Sequence, residues 1–411
     1  MFELGIKGKE ATRDLANRTR QEKNQILGTW AEDLWTHREE ILQANEKDLA
    51  YGREIGLNSG LMDRLKLDEG RIQGMIDGIQ VVKNLEDPIG QVQDLKANDQ
   101  GLYIGKMTVP IGLIGIIYEA RPNVTVDCAA LCLKSGSALI LRGGKEAIHS
   151  NLGLAKILRK GLENLGFNPD YVQIIEDTSR EKTKELMEAA GLVDLLIPRG
   201  SRSLIQACIQ GAKVPVLQTG EGNCHVYVDQ GADLEMALKI VENAKTQRTG
   251  VCNAMESLVL HKEIARDFLE AFKPLAQAHK IRLHVDPALK DAIEGDLALE
   301  EDWGREYLDM ECSIKEVASL DEAIDHINKY STGHSEVIVT KDYFHAQEFL
   351  KRVDSACVYV NASSRFTDGG QFNMGAEMGI STQKIHARGP IGLKELTSYK
   401  YIIYGKGQIR Q

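Results

Sequence analysis

From position 111 onward, short apolar runs alternate with segments whose apolar residues recur every three or four positions. A run of four to seven apolar residues suits a buried strand, and three-and-four spacing lines up apolar side chains on one helix face. The expected order is strand 111–117, helix 124–133, strand 138–141, helix 145–165, strand 172–175, helix 181–190, strand 193–197 and helix 201–209, then strands 214–217 and 225–228. In the long helix, Ile148, Leu152, Ala155, Leu158, Leu162 and Leu165 share a face. Strands alternating with helices imply an α/β fold with a parallel, doubly wound sheet, which binds ligands beyond the carboxyl ends of its strands.

The alternation resumes after 230. Helices are expected at 234–245, 263–279, 321–329 and 343–352, with strands at 257–260, 336–339 and 357–360. That predicts a second α/β domain. The first eighty residues read as helices, notably 31–50 and 71–82, and Asp87-Pro88 closes the block. Between 89 and 109, glycines and Asn98-Asp99-Gln100-Gly101 punctuate short alternating runs, the pattern of a projecting β-hairpin. The tail 398–404 holds Tyr399, Tyr401, Ile402, Ile403 and Tyr404, an apolar strand that needs a partner sheet or another subunit.

Charge narrows the function. Fifty Lys and Arg against sixty Asp and Glu leave a formal charge of −10. No basic tract offsets this, which argues against a nucleic-acid binder or a polybasic membrane anchor. The longest apolar stretch, 109–118, is too short to span a bilayer, and Met1-Phe2-Glu3 opens no signal peptide. Seven scattered cysteines suit reduced thiols in the cytoplasm better than a disulfide framework.

Four segments can carry chemistry. Gln247-Arg248-Thr249-Gly250-Val251-Cys252-Asn253 puts a thiol in a turn between helix and strand, beside a glycine. A nucleophile needs such exposure and backbone freedom, and the Cys252 N–H and Asn253 side chain can stabilise an oxyanion. A buried structural cysteine fits the spacing equally well. Arg142-Gly143-Gly144-Lys145 ends a strand and opens a helix, where a nucleotide phosphate would find two cations and a helix N-terminus. An ordinary strand–helix turn is the alternative. Glu119-Ala120-Arg121-Pro122-Asn123 lies at a strand's carboxyl edge, with Arg121 and Asn123 suited to an anion and an oxyanion, or with Asn123 as a helix N-cap. The loop 361–370, polar and glycine-rich, has the character of a substrate-pocket wall or a plain surface connection. His225, His386 and the Cys128/Cys132 pair lack metal spacing, and the two cysteines read as core residues. Gly220-Glu221-Gly222 fails the dinucleotide fingerprint because His225 stands where the third glycine belongs.

Long motifs make a family resemblance specific. The run 109–125 (Val109-Pro110-Ile111-Gly112 through Tyr118-Glu119-Ala120-Arg121-Pro122-Asn123-Val124-Thr125) resembles the gamma-glutamyl phosphate reductases, or glutamate-5-semialdehyde dehydrogenases, of the aldehyde dehydrogenase superfamily. So do 248–253, Val360-Asn361-Ala362-Ser363, Phe366-Thr367-Asp368-Gly369-Gly370-Gln371-Phe372, and Ser381-Thr382-Gln383-Lys384-Ile385-His386-Ala387-Arg388-Gly389-Pro390.

The resemblance implies a cofactor-binding domain over 1–87 and 109–233 with an atypical dinucleotide sheet, and a catalytic domain over 234–373. It implies an oligomerisation element from 88–108 and 374–411, which joins a homodimer or homotetramer. Cys252 matches the nucleophile. Arg142 falls where these enzymes place a lysine near the adenine ribose, and Glu306 where they place the glutamate that holds the nicotinamide ribose. Arg142 and Lys145 are expected to read the 2′-phosphate of NADPH, and Arg121, Asn123, Ser363 and Arg365 to bind substrate. Gln218 stands in place of the general-base glutamate, with Glu221 nearby as a possible substitute. The implied reaction is NADPH-dependent reduction of L-glutamyl 5-phosphate in proline biosynthesis, with coupling to glutamate 5-kinase. The alternatives are an oxidising, hydrolytic aldehyde dehydrogenase and a cysteine hydrolase with His225 as base.

Overall fold

The computed structural model describes residues 1–410, apart from the side chain of Ser59. The chain divides into two compact units. The first is Met1–Thr219 with Asn373–Gly379 and the chain from Ile391 on; the second is Gly220–Phe372 with Ile380–Pro390.

The first unit begins with five helices: α1 (Phe2–Leu15), α2 (Arg20–Thr36), α3 (Arg38–Glu54), α4 (Ser59–Leu65) and α5 (Glu69–Asn84). Local chemistry starts several of them. Thr19 and Glu22 form a reciprocal capping box on α2, and Asp68 caps α5. The helix expected over 31–50 is two helices, because the backbone at His37 leaves helical geometry.

Four parallel strands follow: β3 (Leu113–Tyr118), β4 (Ala138–Gly143), β5 (Val172–Ile174) and β6 (Leu195–Arg199), in the order β5-β4-β3-β6. Between and after them run α6 (Asn123–Lys134), α7 (Ile148–Asn164), α8 (Arg180–Met187) and α9 (Arg202–Gly211). Buried Trp30 ties α2 to α7 through its indole N–H, which donates to the Leu158 carbonyl at 2.8 Å. The strand expected over 214–217 does not form; one bridge, Leu196 to Val216, is all that pairs there. The hairpin β1 (Val92–Ala97) and β2 (Tyr103–Pro110) pairs antiparallel with the last strand, β16 (Thr397–Tyr404). On β16, Tyr399, Tyr401, Ile403 and Tyr404 are all exposed.

The second unit holds seven parallel strands: β7 (Cys224–Val228), β8 (Met255–His261), β9 (Arg282–Val285), β10 (Asp296–Leu297), β11 (Glu311–Val317), β12 (Ser335–Val339) and β13 (Cys357–Val360). Their order is β10-β9-β11-β8-β7-β12-β13. Helices α10 (Leu234–Thr246), α11 (Lys262–Ala278), α12 (Leu320–Tyr330) and α13 (Tyr343–Arg352) cover them, and stacked Phe268 and Phe272 fill the core. Two short strands, β14 (Ile380–Ser381) and β15 (Gly389–Pro390), pair with each other.

The boundary expected at 233/234 therefore falls at 219/220. The cause is β7, which pairs β8 and β12 of the second sheet. The expected oligomerisation tail is likewise divided, since Ile380–Pro390 goes with the second unit.

Candidate active site

In the second unit, the candidate residues gather at the amino ends of the parallel strands. Gly222 precedes β7, Cys252 precedes β8 and Glu306 precedes β11, while the segment after β13 returns with Ser363 and Arg365. Loops at this end must be held by one another. Glu306 Oε1 accepts the Gly222 N–H at 2.8 Å, and Thr332 Oγ1 donates to the Glu221 carbonyl at 2.7 Å. Gly222 lies so close to the Cys252 backbone that a Cβ there would fall 1.4 Å from the Cys252 carbonyl oxygen. Only glycine permits that approach. From the other side, Cys224 Sγ donates to the same Cys252 carbonyl at 3.1 Å.

Asn253 is 5% exposed, and its amide is committed to the loop. Its Nδ2 donates to the carbonyls of Thr367 at 2.8 Å and Arg365 at 3.4 Å, and its own carbonyl accepts from Ser364 Oγ at 2.7 Å. In this arrangement the side chain expected at an oxyanion holds the 363–367 segment. Ser363 Oγ accepts the Arg365 N–H at 3.3 Å, so it too shapes the turn. Arg365 donates from Nε to Gln247 Oε1 at 2.8 Å. Burial first, then repulsion from Arg248, lowers the Arg365 pKa, while the charge of Cys252 works the other way. Two arginines, the Asp368 carboxylate and the thiol thus share one electrostatic neighbourhood.

The seven cysteines separate by environment. Cys128, Cys132, Cys208, Cys224 and Cys312 are buried, while Cys252 and Cys357 are half-buried. Burial pushes the thiols of Cys128 and Cys312 up to about 12 and Cys208 up to about 11, and holds Cys132 and Cys224 well above the usual range. A thiol that cannot ionise is a poor nucleophile. The expectation of core roles for Cys128 and Cys132 agrees with this. His225 is fully buried in β7 with Nδ1 3.0 Å from Glu336 Oε2, a placement that does not present it as a base for Cys252.

In the first unit, the candidates lie at the carboxyl ends of β3 and β4. Arg142, 8% exposed, donates to the carbonyls of Gly143 at 2.6 Å and Ser179 at 3.1 Å, and also to that of Thr178. Its Nε is buried without a hydrogen-bond partner. The glycines beside it make room for the protein's own side chains: a Cβ on Gly143 would lie 2.1 Å from Asn151 Nδ2, and one on Gly144 2.1 Å from Glu146 Oε1. Glu146 uses that room to accept the Ala120 N–H at 2.6 Å. Lys145 is exposed, its ammonium 5.9 Å from the Tyr51 ring centre.

Asn123 is the first residue of α6, not its N-cap, and its Nδ2 donates to Asp127 Oδ2 at 2.9 Å. Arg121 and Gln218 are half-buried in this unit. Among the described residues, no group of three or more His, Cys, Asp or Glu is placed to hold a metal ion, and no helix is long and apolar enough to cross a membrane.

Sequence reasoning missed Cys224 and the reason for Gly222. It weighed the Gly220-Glu221-Gly222 run only as a failed phosphate fingerprint, and the packing of one loop backbone on another leaves no local pattern.

The Aldehyde dehydrogenase family model matches residues 7–291 and 312–402. A gamma-glutamyl phosphate reductase of Clostridium novyi is 54% identical over 414 residues, covering 100% of this chain and 99% of that protein. A second, of Caldanaerobacter subterraneus, is 51% identical over 412 residues, 98% of each. The crystal structure of the Thermotoga maritima gamma-glutamyl phosphate reductase superposes with a TM-score of 0.97 at 46% identity, covering 100% of this chain and 99% of that one. With a whole-length match and a shared α/β fold, this chain belongs to the gamma-glutamyl phosphate reductases, oxidoreductases of the aldehyde dehydrogenase family.

Proposed function

We propose that the chain reduces L-glutamyl 5-phosphate to L-glutamate 5-semialdehyde with NADPH, releasing phosphate through a Cys252 thioester, as a step of proline biosynthesis. The observation that carries the reading is the half-buried Cys252 thiol, its backbone fixed between Gly222 and Cys224 and two arginines in its electrostatic neighbourhood.

In this reading the Cys252 thiolate attacks the acyl phosphate carbonyl. The new C–S bond forms as the carbon–oxygen bond to phosphate breaks, and phosphate leaves with the electron pair. Main-chain N–H groups of the 250–253 loop hold the oxyanion. Arg365, with Ser363 shaping its turn, takes a negative group of the substrate; Arg121 and Asn123 of the first unit keep the substrate-binding assignment that the family resemblance gives them. Glu306 would hold the nicotinamide ribose, and a bound dinucleotide would supply hydride for reduction of the Cys252 thioester to a thiohemiacetal adduct. Collapse of that adduct breaks the C–S bond, returns the thiolate and frees the aldehyde.

The residues present fit a dinucleotide. Arg142 has an unused buried donor, Nε, at a strand's carboxyl end, and Lys145 is exposed beside it. These two cations are assigned to the 2′-phosphate and Glu306 to the nicotinamide ribose. Gln218 in the general-base position favours reduction, because an amide cannot activate water against the thioester. The chain acts in the cytoplasm as a homodimer or homotetramer joined through the β1-β2-β16 sheet. An acyl phosphate hydrolyses readily, which supports coupling to glutamate 5-kinase.

The test runs the reaction backwards. Glutamate 5-semialdehyde should reduce NADP only when phosphate is present to accept the acyl group. Comparable NADP reduction without phosphate would identify a hydrolytic aldehyde dehydrogenase instead.

A further inference from the structure

Lys245 and Glu256 form an ion pair with both side chains fully buried, Nζ to Oε2 at 2.8 Å. Lys245 lies in the last turn of α10, and Glu256 is the second residue of β8, four positions beyond Cys252. Neither belongs to the nucleophile, anion or dinucleotide assignments above. An apolar pair of similar volume generally fills such a place at no loss of stability, so packing alone does not account for these charges.

The second carboxylate oxygen shows what the pair touches. Glu256 Oε1 accepts the N–H of Leu308 at 3.2 Å. Leu308 has φ +57, a left-handed conformation that a leucine adopts only where its surroundings impose it. Two residues earlier, Glu306 reaches the Gly222 N–H, and Gly222 abuts the Cys252 carbonyl. Burial pushes the Glu256 carboxyl up to about 7 despite Lys245, which marks a costly placement.

We propose that Glu256, anchored by Lys245, is a positioning residue that holds the 305–309 turn in the conformation from which Glu306 grips the dinucleotide ribose. The inference rests on the assignment of Glu306 to the dinucleotide. Glu256 touches neither substrate nor cofactor; it acts through the Leu308 N–H.

The test measures NADPH dissociation constants by fluorescence alongside thermal unfolding. In the double variant Lys245→Met with Glu256→Leu, the buried charges are gone and so is the acceptor for Leu308. Unfolding should stay near wild type while the NADPH Kd rises about tenfold. Lys245→Met with Glu256→Gln retains an amide oxygen for Leu308 and should restore Kd to within about twofold. Should the apolar pair not fold, Glu256→Asp, one methylene too short to reach both partners, should raise Kd about threefold. An unchanged Kd in the apolar pair, or in Glu256→Asp when it stands in, overturns the proposal. So does a weakened Kd that the glutamine pair fails to restore. Glu306→Gln is measured in parallel. If it weakens NADPH and the Glu256 variants do not, the positioning role is refuted and the assignment of Glu306 stands. If Glu306→Gln leaves Kd unchanged, the assignment itself fails.

Discussion

The two parallel sheets use opposite ends. In the first unit the candidate residues follow β3 and β4, at carboxyl ends where the chain turns directly into α6 and the short turn before α7. In the second they precede β7, β8 and β11, at amino ends. Loop-to-loop contacts support both, and the difference lies in what they hold: the backbone around Cys252, the side chain itself at Arg142. Around Cys252, backbone groups of one loop are met by another: Gly222 by Glu306, Glu221 by Thr332, Asn253 by Ser364 and, through its amide, Thr367. Around Arg142, the guanidinium bonds to the carbonyls of Gly143, Thr178 and Ser179 and Glu146 takes the Ala120 N–H, while Asn123 bonds one helical turn on and Lys145 stays exposed. Attack on a carbonyl demands placement within a fraction of an ångström, which interlocked loops supply. Attraction between a phosphate and an exposed cation acts over several ångströms and is screened by salt.

That contrast can be broken most forcefully at the thiol. Cys252→Ser should cut turnover by about a thousandfold or more while NADPH binding and folding persist. NADPH oxidation and fluorescence titration check it, and activity above about a tenth of wild type would remove Cys252 from the mechanism. Next comes the backbone contact. Gly222→Ala must displace the Cys252 carbonyl, so kcat should fall about a hundredfold even though no reacting group has changed. Near-normal turnover would show that the loop packing does not set the thiol's position.

The first unit should respond more gently. Lys145→Ala should weaken NADPH about two- to fivefold with little change for NADH, and the difference should shrink as salt is raised. Equal losses for both dinucleotides would show that Lys145 does not read the 2′-phosphate. The smallest effect concerns Asp127, the partner of Asn123. Burial holds its carboxyl up at about 6, above the unfolded value of about 3.9. The protonated form is the one the fold prefers, so this group's stabilisation is complete below about pH 4 and is lost as pH rises through about 6. Asp127→Asn should flatten that part of the melting-temperature profile by about 2 °C. An unchanged pH profile in the variant would show that Asp127 titrates as an exposed carboxyl.

The sheet–helix alternation, the hairpin and the tail strand were legible because each is a local pattern of apolar spacing and turn residues. Strands β9 and β11 escaped detection: Arg282–Val285 and Glu311–Val317 carry His284, Glu311, Lys315 and Glu316 within short segments, which breaks the apolar run. Those charges find partners that only the fold supplies, with His284 paired to Glu311 and Lys315 to Asp286. The boundary at 219/220 was missed for a related reason, since a strand's pattern does not tell which sheet it joins. At the site, Cys252 and Arg365 stood out by residue type and motif. The commitment of Asn253 to the 365–367 carbonyls did not, because a side-chain amide has donors for either role and only the neighbouring loop decides between them.

The pairing of β2 with β16 also sets a timetable for synthesis. Roughly 290 residues separate them in the chain. At roughly 5–20 residues per second, β2 emerges from the ribosome some tens of seconds before its partner exists. For that interval the nascent chain carries an open strand edge, the kind of surface on which two unfinished chains can join. The hairpin bears features that discourage this: a register shift between Gln93 and Lys96, left-handed Asp94 beside it, and Lys96 and Lys106 on the two strands. A contact needed only in the finished enzyme thus leaves its mark on a hairpin that must first wait alone.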